Sequence, residues 1–241
     1  MQLPFTALLN KLFAGPVVAF LHALGISVKN EAAPISNVFA MEILTFLLLV
    51  VFFAVVRARL SVDKPGTLQH VMEGFNSFIS TQSHDFIGHG SERFTSFLVP
   101  LCMFILVANL LGVIPGFESP TGSPVVPLGC ALVAFFYYHY HGIRQLGWGY
   151  PKHFFGPIPW LAPLMFVIEI FSHLARIMSL TIRLYANMFA SDLVTLVFFS
   201  LVPVGIPVIF LGLHAFVSLI QAYVFMLLAM IYLSIAVTHE H

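Results

Sequence analysis

The sequence predicts an all-α integral membrane protein. It has about five membrane segments, an amphipathic surface helix, and two final helices that form a long, steeply tilted hairpin. Three observations carry this expectation. Of the 241 residues, 59% are hydrophobic and only 8% are charged, against roughly 25% charged in soluble domains. The mean hydropathy is +0.97. The C-terminal third also holds two apolar stretches longer than a bilayer is thick.

The chain reads as a single membrane domain, residues 1–241. Residues 1–37 contain "LLNKLFAGPVVAFLHALGIS", with one Lys ahead of a short apolar run broken at Pro16. They are expected to form a periplasmic or interfacial lead, too short to span. The first span, 38–56, ends at Arg57 and Arg59. Residues 67–90 mix His, Glu, Asn and Asp with Phe and Ile, the pattern of an amphipathic helix lying on the membrane surface. The second span, 94–114, stops at Pro115 and Gly116. A turn rich in Pro, "ESPTGSPVVP", leads into the third span, 125–141. The aromatic, basic stretch that follows suits the membrane–water interface, and His139, His141 and His153 are read as part of it.

The final two helices are placed at 161–202 and 206–238. Between Pro163 and Pro203 there is neither Pro nor Gly. One continuous helix of ~39 residues would be ~58 Å long. The hydrocarbon core is only ~30 Å thick, so the helix would lie roughly 60° from the membrane normal. The second helix would be ~45 Å long by the same measure.

Basic residues follow the first span (Arg57, Arg59, Lys64), precede the second (Arg93) and follow the third (Arg144, Lys152), whereas the loop 115–127 carries only Glu118. By the positive-inside rule the N-terminus is outside and the C-terminus cytoplasmic.

Ten Lys and Arg balance ten Asp and Glu, so charge makes no case for nucleic acid or a polybasic tail. No Gly-rich phosphate loop, CxxC pair, HExxH or GxSxG occurs. Neither a cofactor, a metal nor a catalytic site is expected on this chain. Cys102 and Cys130 sit in apolar runs, as packing residues. His239 and His241 read as a frayed terminus.

Polar residues interrupt the two long helices in a pattern. Glu169, Arg176 and Arg183 recur every seven residues and share a helix face to within about 40°. Asn187 extends that stripe by a turn and Ser179 flanks it. Asp192, nine residues beyond Arg183, points about 180° away. On the final helix His214, Ser218 and Gln221 form a second stripe. Membrane-embedded Ser and Asn can act as hydrogen-bond glue worth about 0.6 kcal/mol each. An arginine is different, because its permanent charge costs at least about 2.5–3.5 kcal/mol at the bilayer centre. The combination with Asp192, Glu169, His214 and Gln221 reads as an ion or proton path.

These residues carry a resemblance. "SLTIRLYANMFASDLV" and "HAFVSLIQAYVFMLLAMIYLSIAV" closely resemble the subunit a family of bacterial F-type ATP synthases, and "HFFGPIPW" and "IEIFSHLARIM" resemble the approach to the first motif. The resemblance covers essentially the whole chain, most strongly from Phe154 onward. It implies that Arg183 is the family's essential arginine, facing a rotating ring of c subunits. Gln221 matches the glutamine near that arginine, and Asp192 stands where bacterial members often have glutamate. His214 matches its partner on the last helix. Glu169, Asn187, Ser179 and, in the second span, Asn109 match polar positions along the proton path; Arg176 stands at a basic or smaller position. Gly112 departs from members with an acidic residue there, and "SPTGSPVVP" departs from the usual loop.

The implied function is a proton-channel stator with two offset half-channels, coupling proton flow to ring rotation and ATP synthesis. The implied partners are the c-subunit ring, peripheral-stalk b subunits, the remainder of the ATP synthase and the lipid bilayer of the bacterial inner membrane. A self-contained ion-coupled secondary transporter is the alternative, but the chain shows no internal repeat and no interrupted helices of the kind such proteins use. An intramembrane metalloenzyme would need His and carboxylates converging on facing helices, whereas His139, His141 and His153 fall near a span end.

Overall fold

A computed structural model describes residues 3–23, 25, 33–62, 64–88, 90–114, 116–147, 161–201 and 205–237. These form seven α-helices and, among the described residues, no strand. In chain order they are α1 (Pro4–Ala23), α2 (Asn37–Ala58), α3 (Thr67–Ile87), α4 (Glu92–Leu111), α5 (Val125–Leu146), α6 (Ala162–Leu201) and α7 (Ile206–Val237). A 3-10 turn at Pro120–Gly122 connects α4 to α5. By length and composition α1, α2, α4, α6 and α7 are each able to cross a membrane. α5 is as long as α2, but its C-terminal half carries "YYHYHGIRQ" and is less apolar.

α1 differs from the expectation of a short lead. Its 20 residues continue through Pro16 and would reach ~30 Å. The Asn10 side chain, buried at 4% exposure, anchors the helix. Its Nδ2 donates to the Ile35 carbonyl at 3.1 Å and its Oδ1 accepts from the Ile35 N–H at 2.9 Å. Leu3 N–H donates to Asn37 Oδ1 at 3.3 Å. Such contacts at the mouth of α2 hold a helix that a local Pro would otherwise weaken.

α2 begins at Ser36, whose hydroxyl accepts from the Phe39 N–H at 3.2 Å, the usual N-cap chemistry. α3 is amphipathic as expected. It buries Ile79, Ser83 and Ile87 and receives hydrogen bonds from α7, where Ser234 Oγ donates to the Phe86 carbonyl at 2.6 Å and Tyr223 Oη to Gln82 Oε1 at 3.2 Å. α4 ends three residues earlier than Ile114. Beyond Leu111 the backbone tightens into i→i+3 bonds, with the N–H groups of Gly112, Val113 and Ile114 donating to Asn109, Leu110 and Leu111. This is a common way to finish a helix before Pro.

α6 runs 40 residues and α7 runs 32. Pro163 lies in the first turn of α6, where its missing N–H leaves nothing unsatisfied. Phe198 stacks on Phe210 at 4.1 Å near the hairpin end. α7 runs through the middle of the bundle. Its Phe225, Met226, Met230 and Leu233 pack against Phe94, Leu98 and Ile105 of α4, Ala131 and Ala134 of α5, and Leu184 and Met188 of α6. Small residues let the helices approach closely; Cys102 Sγ lies 3.8 Å from the Ala222 carbonyl. Cys102 and Cys130 are both free and buried.

Candidate functional site

Polar side chains are gathered in three places along α6. One lies where α6 and α7 meet the loop after α4. His214 of α7 is 1% exposed, and its Nδ1 faces Asp192 Oδ1 at 3.5 Å. Among the described residues neither ring nitrogen has a hydrogen-bond partner. Asp192 also lines a cavity of about 530 Å³ with Glu118, Ser119, Phe189 and Thr195.

Two glycines make room for the Asp192 carboxylate. A Cβ at Gly112 would stand 2.9 Å from Ser119 Cβ, 3.2 Å from His214 Cε1 and 3.3 Å from Asp192 Oδ1. One at Gly122 would stand 3.0 Å from Asp192 Oδ2. The loop after α4 is fixed by a polar chain. Thr121 Oγ1 donates to Asn109 Oδ1 at 2.6 Å, Ser119 and Thr121 hydroxyls meet at 2.7 Å, and Ser119 Oγ donates to the Ala108 carbonyl at 3.2 Å. Asn109 Nδ2 reaches the Ser218 carbonyl at 3.5 Å. Asn109 therefore ties loop to α7 and contributes to the wall rather than to the cavity.

The second place is the centre of α6. Asn187 Nδ2 donates to Gln221 Oε1 at 2.8 Å. Gln221 is 3% exposed, and its own Nε2 is buried without a partner among the described residues. Ser218 Oγ contacts Met188 Sδ at 3.9 Å. Arg183, one turn before Asn187, is exposed, as is Ser179. Arg183 makes no hydrogen bond or ion pair among the described residues, while its neighbours Leu184 and Met188 are fully buried. The guanidinium thus projects away from the bundle.

The third place lies toward the start of α6. Glu169 Oε1 faces His173 Nε2 at 3.3 Å. Tyr138 Oη meets His173 Nδ1 at 3.1 Å. The rings of His139 and His173 are 4.7 Å apart. Arg176 sits over Tyr232 at 5.4 Å. His139 is thus packed against α6.

Helix rise spaces these clusters. Fourteen residues from Glu169 to Arg183 span ~21 Å, and nine from Arg183 to Asp192 span ~14 Å. Arg183 stands between the Glu169 and Asp192 clusters, one turn from the Asn187–Gln221 pair. The structure brings together Asp192 with His214, Asn187 with Gln221, and Asn109 with α7; it leaves Ser179 and Arg183 outward and places Glu169 and Arg176 around His173.

Several residues of these clusters escaped the sequence reading. His173 is four residues after Glu169 and so on its face, a signal that was legible. Tyr138, Ser119, Thr121 and Glu118 were not, because only the folded loop and the α5–α6 contact bring them in. His153, Lys152, "HFFGPIPW", His239 and His241 lie outside the described residues.

Comparison with known proteins places the chain. The family model described as ATP synthase A chain matches residues 38–234. ATP synthase subunit a of Koribacter versatilis (strain Ellin345) is 62% identical over 241 residues, covering 100% of this chain and 98% of that protein. The subunit a of Solibacter usitatus (strain Ellin6076) is 50% identical over 217 residues, covering 90% and 93%. That of Geobacter sp. (strain M21) is 41% identical over 221 residues, covering 92% and 94%. With the family model matched over residues 38–234 and relatives 41–62% identical along nearly their whole length, the chain belongs to the ATP synthase A chain family.

Proposed function

We propose that the chain is the proton-conducting stator of the membrane sector of a bacterial F-type ATP synthase. It sits as a multi-pass protein in the inner membrane, N-terminus outside and C-terminus cytoplasmic, against a ring of c subunits and held by the peripheral-stalk b subunits. The observation that carries this reading is Arg183. It projects outward from α6 without a partner among the described residues, between clusters ~21 Å and ~14 Å away along the helix.

Each part then has a task. A proton enters from outside through the cavity lined by Glu118 and Asp192, passing Asp192 and His214, a carboxyl and an imidazole that can each carry it. It neutralises a carboxylate on one c subunit, and the neutral group can then face lipid, where its charged form would be strongly disfavoured. After nearly a full turn of the ring the carboxylate reaches an inner half-channel at Glu169 and releases the proton to the cytoplasm. Arg183 stabilises the resulting carboxylate and repels a proton that would cross directly between half-channels. Arginine suits this task because, unlike a buried Lys, it does not release its proton. Gln221, held by Asn187, supports the same point from α7. The membrane potential supplies about 2.3 kcal/mol per charge per 100 mV.

The test is proton pumping in inverted vesicles carrying Arg183→Ala in the complete complex, together with passive leak after the catalytic head is stripped. ATP-driven pumping is expected to vanish while passive leak appears or persists. Pumping that survives would make Arg183 structural and return the transporter reading.

A further inference from the structure

We propose that His173 and Tyr138 are positioning residues of the inner half-channel, holding the Glu169 carboxylate through a carboxylate–imidazole–phenol chain. This rests on the half-channel reading above and adds to it a device for which the polar stripe alone gave no reason.

Hydrogen-bond chemistry fixes the order of the chain. A carboxylate oxygen can only accept, and His173 Nε2 stands 3.3 Å from Glu169 Oε1 as an ion-pair contact, so the tautomer with its proton on Nε2 is the one that faces the carboxylate favourably. Nδ1 is then the acceptor, and the Tyr138 hydroxyl donates to it at 3.1 Å. One tautomer serves both contacts. The support lies inside the bundle, with Tyr138 at 3% and His173 at 9% exposure. The Glu169 side chain keeps 31%, open to an arriving proton. Among the described residues, His139 of α5 also lies against the His173 ring, and Arg176, one turn further along α6, sits over Tyr232 of α7. Three rings of α5, Phe135, Tyr138 and His139, therefore lie against the imidazole.

The physical need is orientation. A free glutamate samples several rotamers, and fixing one costs conformational entropy. Proton transfer requires heavy atoms within about 3 Å or one water. A prearranged Glu169 meets that demand without ordering itself at each passing c subunit, as the orienting partner of a metal-bound histidine does.

The experiment measures passive proton conductance per assembled complex in head-stripped vesicles, with pH varied separately on each face. Tyr138→Phe removes one oxygen and keeps the packing; His173→Leu removes the support; His173→Gln retains an amide donor that can reach Glu169. Conductance is expected to fall on the order of tenfold in His173→Leu, a loss typical of misaligned reacting groups, less in Tyr138→Phe, and to recover largely in His173→Gln. The profile against cytoplasmic-side pH should move and the outer-side profile should not. Wild-type conductance and inner profile in Tyr138→Phe and His173→Leu would overturn the inference, as would His173→Gln behaving like His173→Leu. If the only loss is in the number of complexes assembled, the residues are merely structural and the inference also falls. Arg183→Ala, run in parallel, separates the two questions: if it keeps coupled pumping, the half-channel reading itself has failed, whatever the His173 variants do.

Discussion

Asp192 owes its setting to two missing side chains. With Gly112 and Gly122 on either side, its carboxylate lies within reach of His214 and open to the cavity. Gly112→Ala is therefore expected to press on Ser119, His214 and Asp192 together and to slow proton-driven ATP synthesis several-fold, while the complex still assembles. The check is synthesis rate per complex in energised vesicles, and a rate equal to wild type would place the outer route elsewhere. Asp192→Leu should also slow transport without preventing assembly, measured as the rate of fluorescence quenching in the same vesicles. Unchanged quenching would remove Asp192 from the path. Arg183, Glu169, Asp192, His214 and Gln221 were all legible in the sequence, because a charge or imidazole in an apolar helix has few structural excuses. His173 shared Glu169's helix face and could have been added. Tyr138 could not, since nothing local distinguishes it from the tyrosines beside it.

Lengths and breaks decide the elements. The absence of Pro and Gly between Pro163 and Pro203 foretold a single helix, and α6 spans Ala162–Leu201 with bounds within one residue of the expectation. Pro16 misled, because the cost of a Pro in a helix is local while the Asn10–Ile35 pair is tertiary. α5 shows the converse: its polar C-terminal turns are accommodated by stacking, with Tyr137 on Phe97 at 3.8 Å. At 40 residues α6 would be ~60 Å long, twice the hydrocarbon thickness of ~30 Å. It is expected to lie roughly 60° from the membrane normal, beyond the ordinary tilt of 0–40°. Oriented infrared or solid-state magnetic resonance measurements on labelled α6 check this; a near-vertical helix would overturn it.

At the scale of the molecule, the outward Arg183 makes no hydrogen bond or ion pair among the described residues. Purified and reconstituted alone, the chain is expected to conduct no protons, and to gain conductance only when co-reconstituted with its c ring. Flux measured from pH-sensitive dye in liposomes checks this, and conductance by the isolated chain would favour a self-contained transporter. The sequence by itself determined the membrane class, the long final hairpin, and the polar residues of α6 and α7. These follow from composition and from 3.6-residue periodicity, which are local properties. Only the tertiary structure decided which polar residues meet. Whether Asp192 finds His214, whether the loop at Ser119 and Thr121 closes on Asn109, and whether Tyr138 reaches His173 depend on how α4, α5, α6 and α7 pack. Packing in a bilayer is set by close contact of small side chains and paired polar groups between segments far apart in the chain, and no single stretch of sequence encodes it.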